Sequence, residues 1–384
     1  MKGRDMETID AKKNRIREGT KVKPGKMDFP IFIVVLALCA IGLVMVFSAS
    51  YYSAADKMQD GLYFVRKQGL YLLVSLPIML LFTRVDYHVM ERFRLPILLV
   101  SIVLLVAVLL IGEEANGATR WLVLKGLSVQ PSEVAKFGLI IYMSAFMSKK
   151  QHLMKSFLKG VVPMLCVMVV ICGLVMLQPN MSMAVIIGMM GIIMLFAGGA
   201  DYKHVALLIL CGIGAFVLLA IIAPYRMARL ASFTDPWQDP KGDGHQLIQS
   251  LYALGSGGIF GRGLNNSRQK LLYLTYGESD FVYAIVGEEL GFIGAGIILL
   301  LYAFVVYRGM RVALRCKDRF GSMLAAGITN VFALQVLVNV GVVTGVMPTT
   351  GQALPFISAG GSSLLIFLSA MGVLLNISRH VNDM

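Results

Sequence analysis

The sequence predicts an all-α polytopic membrane protein of about ten transmembrane helices, with one long ordered extracellular loop between spans 7 and 8. Three observations carry that prediction. Of 384 residues, 57% are hydrophobic and only 15% are charged, whereas a soluble globular domain carries about 25% charged residues. Mean hydropathy is +0.74. The apolar residues also fall into runs of the length needed to cross a bilayer, about 20 residues of helix. This composition excludes a soluble enzyme, a disordered chain and a disulfide scaffold. Four of the five cysteines (Cys39, Cys166, Cys172, Cys211) sit in apolar runs and Cys316 in a basic loop, with no CxxC pair. They read as small apolar residues rather than metal or redox ligands. The histidines are scattered and no GxxxxGK[ST] segment occurs. No nucleotide cofactor is therefore expected, and nothing points to nucleic acid.

Taken in order, residues 1–28 form a basic tail with nine Lys and Arg and no apolar core. That is not a signal peptide, so the first span is read as a retained anchor. The tail suits anionic membrane lipid. Residues 29–384 are expected to form a single ten-span domain. The candidate spans are 29–49, 65–83, 95–112, 133–147, 158–177, 181–199, 204–223, 280–306, 321–344 and 358–377, the fourth being short and carrying Glu133 and Lys136. With the N-terminus inside, cytoplasmic segments hold 23 of the 35 Lys and Arg and external ones 11. The excess of positive charge puts both termini in the cytoplasm and residues 224–279 outside. That segment, about 56 residues long, exceeds ordinary connections. Its Trp237, paired basic residues and Gly-rich turns suit an ordered cap with short interfacial helices over a cavity between spans.

Polar residues at membrane depth are costly and line cavities or pathways. Glu133 and Lys136 are spaced i, i+3 and can pair, either as a structural ion pair or as a charged wall for a polar substrate. Arg120 and Trp121, in Gly117-Ala118-Thr119-Arg120-Trp121, suit an interfacial anchor or an arginine fork for phosphate. Asp280 opens a long apolar run after Tyr276-Gly277-Glu278-Ser279. It is either a helix N-terminal carboxylate stabilised by the dipole or a general base whose pKa is raised by desolvation. Glu288 and Glu289, two turns further in, suit a relay, an ion-pair partner or a fold determinant. Gly255–Gly263 gives tight turns, and with Arg262, Arg268 and Lys270 nearby it could cradle a phosphate. Thr344–Ser363 is uncharged and rich in Gly and Pro. Such backbone belongs against protein or a water-filled cavity, and it is placed against the long loop. Asn330, Gln335 and Asn339 suit polar glue between helices.

Several of these segments, in one order, resemble the SEDS family (shape, elongation, division and sporulation), which includes FtsW, RodA and SpoVE. The matching stretches are Gly117–Trp121, Gln130-Pro131-Ser132-Glu133 with Lys136, and Gln178-Pro179-Asn180-Met181-Ser182. Asp235-Pro236-Trp237, Gly244-His245-Gln246 with Gln249-Ser250, Asn266-Ser267-Arg268-Gln269-Lys270 and Ser279-Asp280-Phe281 follow. Gly287-Glu288-Glu289-Leu290-Gly291, Pro348-Thr349-Thr350-Gly351 and Leu354–Ser363 complete the set. The variants look closest to the FtsW/SpoVE branch. The chain departs from the family where Thr275-Tyr276 replaces Pro-Glu, and at Asn180, His245 and Ala359.

The resemblance implies a peptidoglycan glycosyltransferase of the bacterial cytoplasmic membrane. Such an enzyme polymerises lipid II, an undecaprenyl-pyrophosphate-linked disaccharide-pentapeptide, at the outer face and with inversion. It works with a class B penicillin-binding protein transpeptidase, alongside division or sporulation proteins. Asp280 is the implied general base. Arg120, Trp121, Glu133, Lys136, Gln246, Gln249, Arg268, Lys270, Ser358, Gly360 and Gly361 are the implied substrate-binding residues. A divalent cation, Mg or Mn, is an optional Lewis acid for the departing pyrophosphate. Two other readings stay open: a flippase that moves lipid II without chemistry, and a non-catalytic scaffold that activates its transpeptidase.

Overall fold

A computed structural model of the chain describes residues 25–115, 118–124, 127–222, 224–242, 244–271, 274 and 277–381. Each predicted span lies on a helix. These helices are α1 (Phe29–Met58), α2 (Tyr63–Arg84), then, past the short α3 (His88–Arg92), α4 (Arg94–Ile111), α5 (Pro131–Lys149), α6 (Val162–Leu177), α7 (Met181–Ala197) and α8 (Tyr202–Ile222). After the long connection come α11 (Val282–Arg315), α12 (Arg319–Val343) and α13 (Gly361–Ser378). Among the described residues, eight helices are long and apolar enough to cross a membrane, counting α6 with the turn before it. Helix α7 is apolar but has 17 residues, and α5 carries the buried Glu133 and Lys136. The protein is a helical, polytopic membrane protein.

The helices are apolar around most of their circumference, because one side faces protein and the other lipid. Helix α4 buries Leu98, Ser101, Leu105 and Val108 as one stripe and exposes Leu99, Val100, Val103 and Leu110. The inner members stand apart. In α13, 78% of the most apolar window is buried, against 17% in α8, so α12 and α13 are the centre and α8 the rim. Polar residues track this division: Thr329, Gln335, Asn339 and Asn376 lie on the two central helices and are buried.

Two features depart from the sequence reading. The connection before α5 is a small antiparallel sheet of β1 (Glu113–Ala115), β2 (Ala118–Leu124) and β3 (Leu127–Val129), with Glu113 opposite Trp121 and Leu122 opposite Val129. Strands of three and seven residues give too few alternations to stand out beside helical runs. Helix α11 is interrupted at Gly291, whose φ of 68° is left-handed. A Cβ there would lie 2.2 Å from the Gly261 nitrogen, so the loop backbone is pressed against the break and only glycine fits.

The residues just before that break hold the loop in place. Glu288 accepts hydrogen bonds from the Ser267 hydroxyl (2.5 Å) and the Arg268 backbone N–H (2.9 Å). Glu289 accepts from the Ser48 hydroxyl (2.6 Å) and pairs with Lys270 (3.1 Å). Of the three roles open for these carboxylates, the contacts are those of ion-pair partners and loop anchors. Within 224–279, the described residues form α9 (Pro224–Thr234), a 3-10 turn (Pro236–Gln238) and α10 (His245–Gly257). The Asp235 carboxylate caps that turn through the Trp237 N–H. Ser250 ties α10 to α12 by donating to the Val343 carbonyl (2.8 Å).

Candidate active site

Asp280 sits in the turn before α11, held by backbone contacts from three directions. Asn339 of α12 donates from its side-chain amide to the Asp280 carbonyl (2.8 Å) and to the Gln352 carbonyl (2.7 Å). Ser358 donates to the Ser279 carbonyl (2.5 Å) and accepts from the Leu354 N–H (2.7 Å). The Ala359 N–H reaches the Glu278 carbonyl (2.9 Å). The uncharged loop between α12 and α13 thus wraps residues 278–280. Phe356 within it has a left-handed φ of 68°, a strain that persists only where surroundings over-determine the backbone.

The Asp280 carboxyl lines a cavity of about 700 Å³. One part of its wall is polar, with Arg120, Arg229, Lys241, His245 and Asn180; another is apolar, with Ile186, Met189, Phe216 and Val338. Burial raises the Asp280 carboxyl to about 6, and Glu278 adds to the rise. A hydrogen bond from Ser279 and the cations Arg120 and Arg229 pull in the other direction. The small sheet explains how Arg120 arrives there: it projects from β2, and its guanidinium donates to the carbonyls of Gln178 (3.3 Å) and Pro179. The result is a half-desolvated carboxylate with a raised pKa, among cations and beside an apolar wall. Such a site can take a proton from a hydroxyl and stabilise a departing anion.

Residues 29–383 match the FtsW/RodA/SpoVE family model, described as cell cycle protein. The chain belongs to the FtsW/RodA/SpoVE family. It is 42% identical over 355 residues to stage V sporulation protein E of Bacillus subtilis (strain 168), covering 92% of this chain and 97% of that one. It is 44% identical over 353 residues to the probable peptidoglycan glycosyltransferase FtsW of Trichlorobacter lovleyi, covering 91% and 93%. Among solved structures, a chain of a peptidoglycan synthase complex, studied for coordination of polymerization and crosslinking, superposes with a TM-score of 0.76 at 30% identity, covering 93% of this chain and 99% of that one. Thermus thermophilus rod shape determining protein RodA does so with 0.70 at 26% identity, covering 93% and 98%.

In this FtsW/RodA/SpoVE protein, three predicted site residues line the cavity together: Asp280, Arg120 and Gln246. Trp121 is the half-buried neighbour on β2, and Gln249 is half-buried on α10. Glu133 and Lys136 form a buried pair at 2.8 Å, with the ammonium also donating to the Gln335 side chain (2.7 Å). Lys270 is buried against Glu289, Ser48 and Asn265, and the Arg268 side chain is exposed. Of the three bases expected to cradle a phosphate, Arg262 and Lys270 pair with Glu288 and Glu289, while Arg268 binds Glu288 through its backbone N–H. Ser358 fixes the turn. The Gly360 N–H meets the Gln68 side chain (3.4 Å). At Gly361, a Cβ would lie 2.2 Å from the Tyr71 ring. These residues shape the loop around Asp280 rather than facing the cavity. The Thr275-Tyr276 departure and Gly117 lie outside the described residues.

Arg229 and Lys241 also line the cavity and were not singled out by the sequence reading. Arg229 carries no motif. Its only sequence signal is an arginine on a short amphipathic helix directly after a span, a pattern that equally marks an interfacial anchor.

Proposed function

We propose that the protein polymerises lipid II into glycan strands at the outer face of the cytoplasmic membrane during cell division or sporulation, with Asp280 as general base. One observation carries the assignment: the Asp280 carboxyl, raised to about 6, lies in a cavity whose other charged walls among the described residues are Arg120, Arg229 and Lys241. Asp280 removes the proton from the C4 hydroxyl of the acceptor GlcNAc. That oxygen attacks the anomeric carbon of the donor MurNAc, and the bond to undecaprenyl pyrophosphate breaks with inversion. The cations face the charge that develops on the leaving diphosphate, with Arg120 and Arg229 suited to its planar recognition. The wall of Ile186, Met189 and Phe216 suits the polyprenyl chain. The names of the curated relatives support the same chemistry.

A divalent cation fits this site as a companion of the substrate. Magnesium is commonly held by one or two carboxylates together with phosphate oxygens. Asp280, the one carboxylate in the lining among the described residues, is engaged as the base, and no cluster of three or more His, Cys, Asp or Glu assembles among the described residues, so the diphosphate oxygens and water would hold the ion. Bound there, such an ion would supply Lewis-acid stabilisation of the diphosphate. The partner in this reading is a class B penicillin-binding protein, as the likeness to a chain of a peptidoglycan synthase complex supports. Both termini lie in the cytoplasm, as the Lys and Arg distribution supports.

The test uses the full-length chain purified with its transpeptidase and supplied with lipid II. Asp280→Asn is expected to lower the yield of muramidase-sensitive glycan chains by at least about 100-fold, the low end for loss of a general base. Chains made at the wild-type rate by the variant would remove Asp280 from the mechanism. Leaflet exchange of labelled lipid II without chains, by the unaltered protein, would favour a flippase.

A further inference from the structure

The far end of the bundle holds a second cavity that this chemistry does not use. Helix α13 runs about 27 Å, at 1.5 Å per residue, from the loop around Asp280 to Ser378. Beyond that end, Lys26, Arg84 and Arg379 line a cavity of about 710 Å³ together with Phe29, Leu80 and Thr83. The three cations come from different parts of the chain: the approach to α1, the last residue of α2, and the C-cap of α13. Among the described residues, no carboxylate lines the cavity. The described acids next to Lys26 and Arg84 in sequence are engaged elsewhere. Asp28 is buried and paired with Arg308 at 2.9 Å, and Asp86 accepts from His88 at 2.7 Å. Arg379 is held in place by donating to the carbonyls of Thr83 (2.9 Å) and Gly25 (3.3 Å). Phe29 and Leu80 are 55% and 43% exposed, so the apolar wall is open on its outer side.

We infer that this cavity binds the phosphate of an anionic glycerophospholipid from the leaflet on the side of the chain termini. The three basic side chains converge on the phosphodiester, and the acyl chains lie along Phe29 and Leu80. A cationic recess between helices, opening onto apolar surface at the depth of the headgroups, offers each half of such a lipid its counterpart. A free phosphate satisfies the cations and leaves the apolar wall without a function.

The experiment is native mass spectrometry of the full-length protein with dioleoylphosphatidylglycerol or dioleoylphosphatidylcholine, counting retained lipid. Lys26→Gln and Arg84→Gln leave intact the arginine that ties Gly25 to Thr83. Each is expected to weaken retention of phosphatidylglycerol about fivefold, as one basic residue at an anionic surface does, and the pair about 25-fold. Phosphatidylcholine is expected to stay weak throughout. A full-length variant with Lys2, Arg4, Lys12 and Lys13 changed to Gln is expected to retain phosphatidylglycerol as the unaltered chain does. The proposal fails if the double variant retains the lipid undiminished. It fails also if the tail variant loses as much, which would move the site to the tail, or if millimolar inorganic phosphate displaces the lipid, which would make the site one for free phosphate. None of these outcomes depends on catalysis at Asp280.

Discussion

Asp280 must be ionised to accept a proton, and its neighbours decide the pH at which it is. Burial and Glu278 raise the carboxyl, Arg120 and Arg229 restrain the rise, and the balance lies at about 6. In the proposed mechanism kcat/KM therefore climbs with pH, about tenfold per unit below that value, and levels above it. Two substitutions give opposite signs. Glu278→Gln removes a like charge, so the ionised form is easier to reach and the climb moves to lower pH. Arg229→Gln removes a cation, so the climb moves to higher pH, and the plateau also falls because the leaving diphosphate loses a counter-charge. A pH–rate profile of lipid II polymerisation checks both. A profile without a step near 6, or shifts of the same sign, would dissociate the rate from Asp280.

Between elements, a line of buried polar contacts joins α5 to the Asp280 turn. Glu133 pairs with Lys136, Lys136 donates to Gln335, and Gln335 donates to the Ala353 carbonyl (3.0 Å). One turn along α12, Asn339 holds Gln352 and Asp280. Lys136→Met strands a carboxylate at membrane depth and is expected to cost about 3–5 kcal/mol. Adding Glu133→Gln removes the lone charge and is expected to recover most of that loss, which thermal melting of the purified variants would show as a strong coupling in a double-mutant cycle. Additive losses would mean that the pair contributes no mutual stabilisation. The Glu133–Lys136 contact was legible in the sequence because its partners are one helical turn apart. Lys270 was not, because Glu289 lies 19 residues away across a loop, and spacing says nothing over that distance. Likewise the long apolar runs announced the helices, whereas the break in α11 was hidden. Gly291 lies within a continuous helical pattern, and only the Gly261 backbone pressed against it shows why it must be glycine. Asp280 was legible because a carboxylate at the edge of an apolar run has few reasons to be there, while an arginine in the same place, such as Arg229, has many.

At the scale of the whole molecule, the two ends of the bundle differ in what they expose. One end presents the Asp280 cavity and the helices of 224–279; the other carries the ends of α2 and α13, with Arg84 and Arg379, and the connection at Lys155. In the proposed orientation this second end lies in the cytoplasm, as the Lys and Arg count supports. In the proposed mechanism the activated sugar and the growing strand meet at Asp280, so a glycan polymer outside the cell requires the first end to face outward. The arrangement can be read by labelling. All five cysteines are free and two, Cys39 and Cys316, are buried, so a cysteine-free chain is made with alanine at those two and serine at the other three. Gln238 and Lys155, both exposed, are then changed singly to cysteine. In intact cells a membrane-impermeant maleimide is expected to modify the Gln238→Cys chain at once and the Lys155→Cys chain only after permeabilisation. The reverse pattern would enclose the cavity in the cytosol, and no arrangement of Asp280 and its cations could then build an external glycan.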